Sequence, residues 1–200
     1  LIDTAVGMVG FFESHLLGTL DDLSTRSYLR VCHDVCHSAV MFEAQVDAVR
    51  AYRRAGIRIG KVQLSSAVEA DLSADPAAAD ALRRFHEPRY LHQTNILRGD
   101  DAVLYDDLPD ALAQSAHDGT WRTHFHVPLY LDRVGGLATT QRCIGELLAA
   151  LTPEDEVRHF EAETYAWTVL PAELRVDDLA AGIARELDWV RGQGPLRGTR

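Results

Sequence analysis

Three short strings in the 200-residue chain carry the residue types that bind divalent metals or move protons. Asp34-Val35-Cys36-His37 sets a carboxylate and an imidazole three positions apart, at the end of a segment that reads as a strand. At the C-terminal end of a strand, where α/β barrels display catalytic groups, such a pair shares a metal or an acid–base task. His124-Phe125-His126 sets two imidazoles two apart, which on a strand directs both to one face, as zinc or manganese requires. Glu161-Ala162-Glu163-Thr164 does the same for two carboxylates, flanked by Phe160, Tyr165 and Trp167. A carboxylate among aromatics either ligates a metal or has its pKa raised so that it serves as acid or base. Each string also has a plainer reading. Asp34 caps the following helix beside a satisfied histidine, the two histidines decorate a half-exposed face, or the glutamates pair with an arginine. Together, three strand ends in order favour the metal.

Other residues are candidates for holding a ligand. Gln63 ends a strand at IRIGKVQL and offers an amide to a substrate hydroxyl, or ties down backbone. His92 and Gln93 lie in a long connection positioned to reach over a pocket as a lid. Arg133-Val134-Gly135-Gly136, before Thr139, suits an anion at a helix start, or is a glycine turn.

These strings need elements to position them. Residues 4–18 carry Val6, Val9, Phe12 and Leu16 at helical spacing, with Gly18 as a stop. A strand at 29–33 precedes a helix at 43–55 that ends at Gly56, and 57–64 alternates as a strand does. Asp75-Pro76 opens a helix to about His86, a hairpin or irregular stretch surrounds Gly99-Asp100-Asp101, and a short helix follows at 109–117. Strands are expected at 121–131, closed early by Pro128, and at 158–167. Between them a helix runs from Thr139-Thr140 to about Leu151. A last helix starts near Pro171 or Val176 and ends near Arg191, before a frayed tail, GQGPLRGTR. Such alternation predicts a parallel sheet with helices outside it. About four strand–helix units and one leading helix fall short of the roughly 250 residues of a closed eight-stranded barrel. The expectation is therefore an α/β chain, residues 1–200, forming the C-terminal half of a TIM barrel with an insertion at about 67–120. The chain opens at Leu1, and the remaining strands are expected before it.

Composition narrows the partners. A net charge of −10 argues against nucleic acid and against an anionic membrane surface. No apolar run approaches the ~20 residues of a membrane span. Cys32, Cys36 and Cys143 read as buried thiols in a reducing cytoplasm. A small-molecule ligand is expected, and an open sheet edge predicts pairing with a second chain.

With these strings in order, the chain resembles the xylose isomerase-like TIM barrel superfamily, which includes sugar isomerases, epimerases and endonuclease IV. VCHDVCH (31–37) resembles the segment whose D-x-x-H supplies two metal ligands, which implies that role for Asp34 and His37. HFHVP (124–128) and Glu163-Thr164 resemble later ligand-bearing segments and imply His126 and Glu163. Gln63 stands where that superfamily has a histidine, a departure, and a further glutamate ligand is expected before Leu1. IRIGKVQLSSA, FHEPRYLHQ, HFHVPLYL and ETYAW are similar, in the same order, to segments of the EboE family of metabolite-traffic proteins. That family is associated with export of secondary-metabolite precursors, which implies other proteins of an export cluster as partners.

Three functions follow as expectations. The first is a metal-dependent isomerase or epimerase of a small polar or phosphorylated metabolite. Asp34, His37, His126 and Glu163 hold zinc or manganese, His37, His124 and Glu163 move protons, and Gln63, His92, Arg133 and Trp167 bind substrate. The second is a barrel that binds a metabolite without turning it over, walled by Trp121, Tyr130, Tyr165 and Trp167. The third, disfavoured by the charge, is an endonuclease IV-like phosphodiesterase.

Overall fold

The computed structural model describes residues 2–193. In chain order the elements are α1 (Ala5–Phe11), continued by a π turn at Phe12–Leu16, α2 (Asp22–Tyr28), β1 (Val31–Asp34), α3 (Val35–Val40), α4 (Gln45–Ala55), β2 (Ile59–Leu64) and β3 (Val68–Asp71). Then come α5 (Ala78–Arg83), β4 (Thr94–Arg98), β5 (Asp101–Tyr105), α6 (Leu108–Leu112), β6 (Thr120–Thr123), β7 (Arg133–Val134), β8 (Leu137–Thr139), α7 (Gln141–Ala150), β9 (Phe160–Ala162) and α8 (Leu179–Arg191).

The fold is mixed α/β, with two sheets of different kinds. Strands β1, β2 and β9 form a parallel sheet in the order β1-β2-β9, with Asp34 opposite Gln63 and Gln63 opposite Glu161. Alternation gives this sheet two unlike faces. Val31, Val62 and Leu64 point into a core completed by Val49 and Tyr52 of α4 and by Ile144 and Leu147 of α7. Cys32, Asp34, Lys61, Gln63 and Glu161 are the alternate, polar set. Gly56 ends α4 at φ +65°, a left-handed cap that releases the chain into β2.

The six remaining strands form an antiparallel sheet, β5-β4-β6-β3-β8-β7, which corrects the expectation of a parallel sheet throughout. Parallel pairing needs crossovers of a dozen or more residues, usually helical. Between residues 67 and 140 the helices are α5, six residues, and α6, five. The strands there turn instead at Gly99 (φ +60°) and at Gly135 and Gly136 (φ +53° and +88°). The segment expected as an insertion thus supplies β3, β4, β5 and the start of β6. Its apolar side, with Val68, Ile96 and Trp121, packs on Leu82 and Phe85.

Several elements are shorter than expected. The 121–131 strand ends at Thr123, where the Phe125 amide turns back to the Thr123 carbonyl at 2.8 Å. The 158–167 strand stops at Ala162, and Tyr165–Thr168 coil into a 3-10 turn. The last helix waits for Asp178, whose carboxylate accepts from Ala180 N at 2.9 Å. Of the expected frayed tail, residues 194–200 lie outside the described residues. Among the described residues no helix is long and apolar enough to cross a membrane.

Residues 65–67, where β2 passes into β3, join the two sheets. The Glu163 amide bonds to Leu64 O at 3.0 Å, Val127 N to Ser66 O at 3.0 Å, and Thr140 N to Ala67 O at 2.9 Å. α8 is tied to the same region by Glu186, 1% exposed, which accepts from Leu129 N at 3.0 Å and from the Thr164 hydroxyl. Removing it leaves two buried donors without an acceptor. Glu186→Ala is expected to cost about 2–4 kcal/mol. That loss should appear as a lower urea midpoint at unchanged slope. A change within about 0.5 kcal/mol, the range of ordinary surface substitutions, would contradict this role.

Candidate metal centre

Parallel strands present their C-terminal ends on one side, so Asp34, Ser65 and Glu163 emerge together where β1, β2 and β9 end. Asp34 is the N-cap of α3. Its Oδ1 accepts from Cys36 N (2.9 Å), His37 N (3.2 Å) and Ser65 Oγ (2.7 Å). The capping reading of Asp34 is realised, and it leaves Oδ2 over, 3.8 Å from His124 Nε2.

His124 and His126 follow β6 rather than lie on it. They nonetheless share a side. Phe125 between them is fully buried against Phe85, and His124 N bonds to Gln93 O at 2.8 Å. The two rings stack at 5.0 Å with Nε2 atoms 3.0 Å apart. His126 Nδ1 donates to the Glu163 carbonyl, which leaves Nε2 with the lone pair. An imidazole whose far nitrogen is fixed by a carbonyl is the usual arrangement behind a metal-ligating histidine. Tyr165, 4.5 Å from His126 between centroids, covers that ring and meets Tyr90 at 4.9 Å.

Two groups of ligand atoms converge here. Asp34, His126 and Glu163 each offer one atom, all within 4.8 Å of one another, and so do Cys36, His124 and His126. Glu163 Oε2 is buried with no hydrogen-bond partner. An orphaned carboxylate oxygen beside an imidazole nitrogen held only by the neighbouring ring fits a divalent cation as its partner.

The charges agree. Burial pushes His124 down to about 3, helped by His126 and opposed by Asp34, and burial also lowers His126. Both rings are thus neutral at pH 7, the form that binds metal. Burial opposes the Asp34 charge, yet His124, His126, the Ser65 hydroxyl and the His37 amide outweigh it and hold the carboxyl below its usual range. Burial, then Asp34 and Glu161, raise Glu163 to about 7, with Lys61 and Gln63 pulling the other way.

Comparison with family models, curated proteins and solved structures finds no match. The site must be judged on its own geometry.

That geometry sorts the sequence candidates. It brings Asp34, His124, His126 and Glu163 together. Gln63 lies beside them, accepting from Cys32 Sγ at 3.0 Å and steadying Glu163. His37 turns away from both ligand groups: its Nε2 meets the Asp3 carbonyl at 3.1 Å, although its ring stays 5.6 Å from that of His124. It lines a cavity of about 140 Å³ with Asp3, Asp34, Glu43 and Tyr52. Three other candidates lie outside the two ligand groups. His92 is no lid. It is fully buried, bonded to Glu87 and to the His124 carbonyl, both at 3.1 Å, and so props the backbone of His124. Trp167 is not a pocket wall, since its ring packs on Gly182 and Val176 under α8. Arg133 donates to Gly136 O in the β7–β8 hairpin and lines a separate cavity with Glu69, Arg122 and Arg142. Of the expected aromatic wall, Trp121 is fully buried and Tyr130 lies under Arg185, leaving Tyr165 at the site. Sequence reasoning gave no role to Cys36 or Ser65, although both sit inside the strings it singled out.

The raised pKa of Glu163 has a stability consequence in the metal-free protein. The folded state holds this proton more tightly than the unfolded chain does. Its contribution is complete below the usual glutamate range and is lost as pH rises through about 7. Glu163→Gln removes that loss. Relative to the parent, the variant should gain about 1–2 kcal/mol between pH 5 and 8, a figure reduced for partial solvent exposure. Urea melts across that range check it, and parallel pH profiles for the two proteins would contradict it.

Proposed function

We propose that this chain holds a divalent metal through Asp34, His126 and Glu163 and acts on a small polar metabolite by an isomerase- or epimerase-type proton transfer. The convergence of three ligand atoms, from three separate segments, at the C-terminal end of the parallel sheet carries the reading. Zinc or manganese suits this oxygen and nitrogen set. When bound, such an ion supplies Lewis-acid polarisation of a carbonyl or hydroxyl.

The chain's own residues do the rest. Asp34 stays ionised and fixed by its three donors, so it brings charge without reorganising. Glu163 would hold the ion through Oε2; without an ion, burial and the Asp34 charge raise its carboxyl to about 7, so cation binding displaces a proton near neutral pH. His124 faces Asp34, Nε2 to Oδ2 3.8 Å, and as a neutral imidazole it offers a hydrogen bond or a lone pair rather than a stored proton. His37, Asp3 and Glu43 offer polar groups to hydroxyls in the adjoining cavity. Tyr165 shields the rings from water.

The finer fold assignment belongs to the same proposal. The parallel sheet, with α4 and α7 on its apolar face and a polar opposite face, is consistent with a sector of a xylose isomerase-like barrel. On that reading the chain is a cytoplasmic member of a metabolite-traffic system, with export-cluster proteins or a second copy as partners. The net charge of −10 weighs against the phosphodiesterase alternative.

One observation favours the non-catalytic alternative. His124 and His126 satisfy each other across 3.0 Å by an N–H···N bond without any ion. Elemental analysis of the full-length protein, purified without chelator or added metal, separates the two. Stoichiometric zinc, manganese or iron, lost in His126→Ala, is the expected result and directs the work to a sugar-phosphate isomerisation assay. A well-folded protein free of metal, and unable to take it up on dialysis, would contradict the metal-dependent reading.

A further inference from the structure

Cys36 sits in the first turn of α3 and is fully buried. Its amide is held by Asp34 Oδ1 at 2.9 Å and by Ser65 Oγ at 3.1 Å, so the contacts that orient Asp34 also fix the root of the thiol. Sγ and one ring nitrogen from each of His124 and His126 lie within 4.8 Å of one another. This trio shares only His126 with the carboxylate trio. The shared residue makes the two exclusive: Nδ1 of His126 is committed to the Glu163 carbonyl, and Nε2 has one lone pair to give. The two donor sets also differ in kind. A thiolate with two imidazoles is soft to borderline, whereas two carboxylates with one imidazole are hard.

We propose that Cys36, His124 and His126 form a second, thiolate-containing position for a thiophilic cation such as zinc or cobalt(II), in competition with a carboxylate position for manganese. The inference rests on the reading of this pocket as a divalent-metal site, and it assigns the metal to a position by its softness. Filling the thiolate position forms a metal–sulfur bond, and the thiol proton passes to solvent. The other two thiols belong to neither ligand group: Cys32 Sγ donates to Gln63, and Cys143, on α7, packs in the core.

Cobalt(II) titration of the metal-free full chain, followed by absorption, tests the position. Visible ligand-field bands and a near-ultraviolet thiolate-to-cobalt charge-transfer band should rise together to stoichiometry. The charge-transfer band should persist in Cys32→Ser and Cys143→Ser and vanish in Cys36→Ser. Ligand-field bands without charge transfer would overturn the thiolate position and leave the metal reading standing. No cobalt-dependent band at all would overturn both. X-ray absorption on the zinc-loaded parent needs no variant. A sulfur neighbour at about 2.3 Å is expected, and a shell of nitrogen and oxygen alone at about 2.0–2.1 Å would overturn the proposal. Zinc added to the manganese-loaded protein should release manganese, read as the free-ion magnetic resonance signal. Manganese retained beside bound zinc would overturn the exclusivity.

Discussion

The Asp34 carboxylate is the point on which the arrangement turns. One oxygen takes three donors, two from the start of α3 and one from Ser65 at the end of β2. That oxygen closes the helix N-terminus, where a negative charge is favoured, and joins β1 to the segment that leads into the antiparallel sheet. The second oxygen is left facing His124. A residue doing both tasks cannot be replaced by a neutral one without loosening the helix start and removing charge from the pocket.

Around this point the polar groups are arranged in depth. His92, buried among apolar side chains, holds the His124 carbonyl, and the Glu163 carbonyl holds His126. Glu186 ties Thr164 and Leu129 to α8 just behind Glu163. Buried polar groups are costly unless paired, and most here are paired with protein. Glu163 Oε2 is not. Gln45 Nε2, Ser66 Oγ, Asn95 Oδ1 and Trp167 Nε1 are also buried without a partner. Glu163 Oε2 is the carboxylate oxygen in this group and the one beside the two imidazoles, and on that the proposed metal reading rests.

Much of the site was legible because its residues lie in short strings whose local geometry is dictated by a strand end or a cap. Asp34 before a helix, and Gly56 ending one, are decided within a few residues. The pairing of His124 and His126 held although the strand beneath them ended at Thr123, because Phe125 anchors the opposite side. The antiparallel sheet was not legible. Pairing β3 with β6 joins residues about fifty positions apart, Val68 with Thr123 and Asp71 with Thr120, and no local periodicity encodes it. The burial of His92 and Trp167 was not legible for a related reason. Both are polar-capable side chains that tertiary packing buried, and sequence alone does not distinguish a buried prop from a pocket wall.

The most direct test of the account is to locate a bound ion. Crystals of the full-length protein grown with manganese, measured at a wavelength where manganese scatters anomalously, should give a peak at about 2.0–2.2 Å from Asp34, His126 and Glu163 oxygen or nitrogen atoms. A peak bound elsewhere, or no peak at saturating manganese with these three side chains well ordered, would contradict the claim that they form a metal centre.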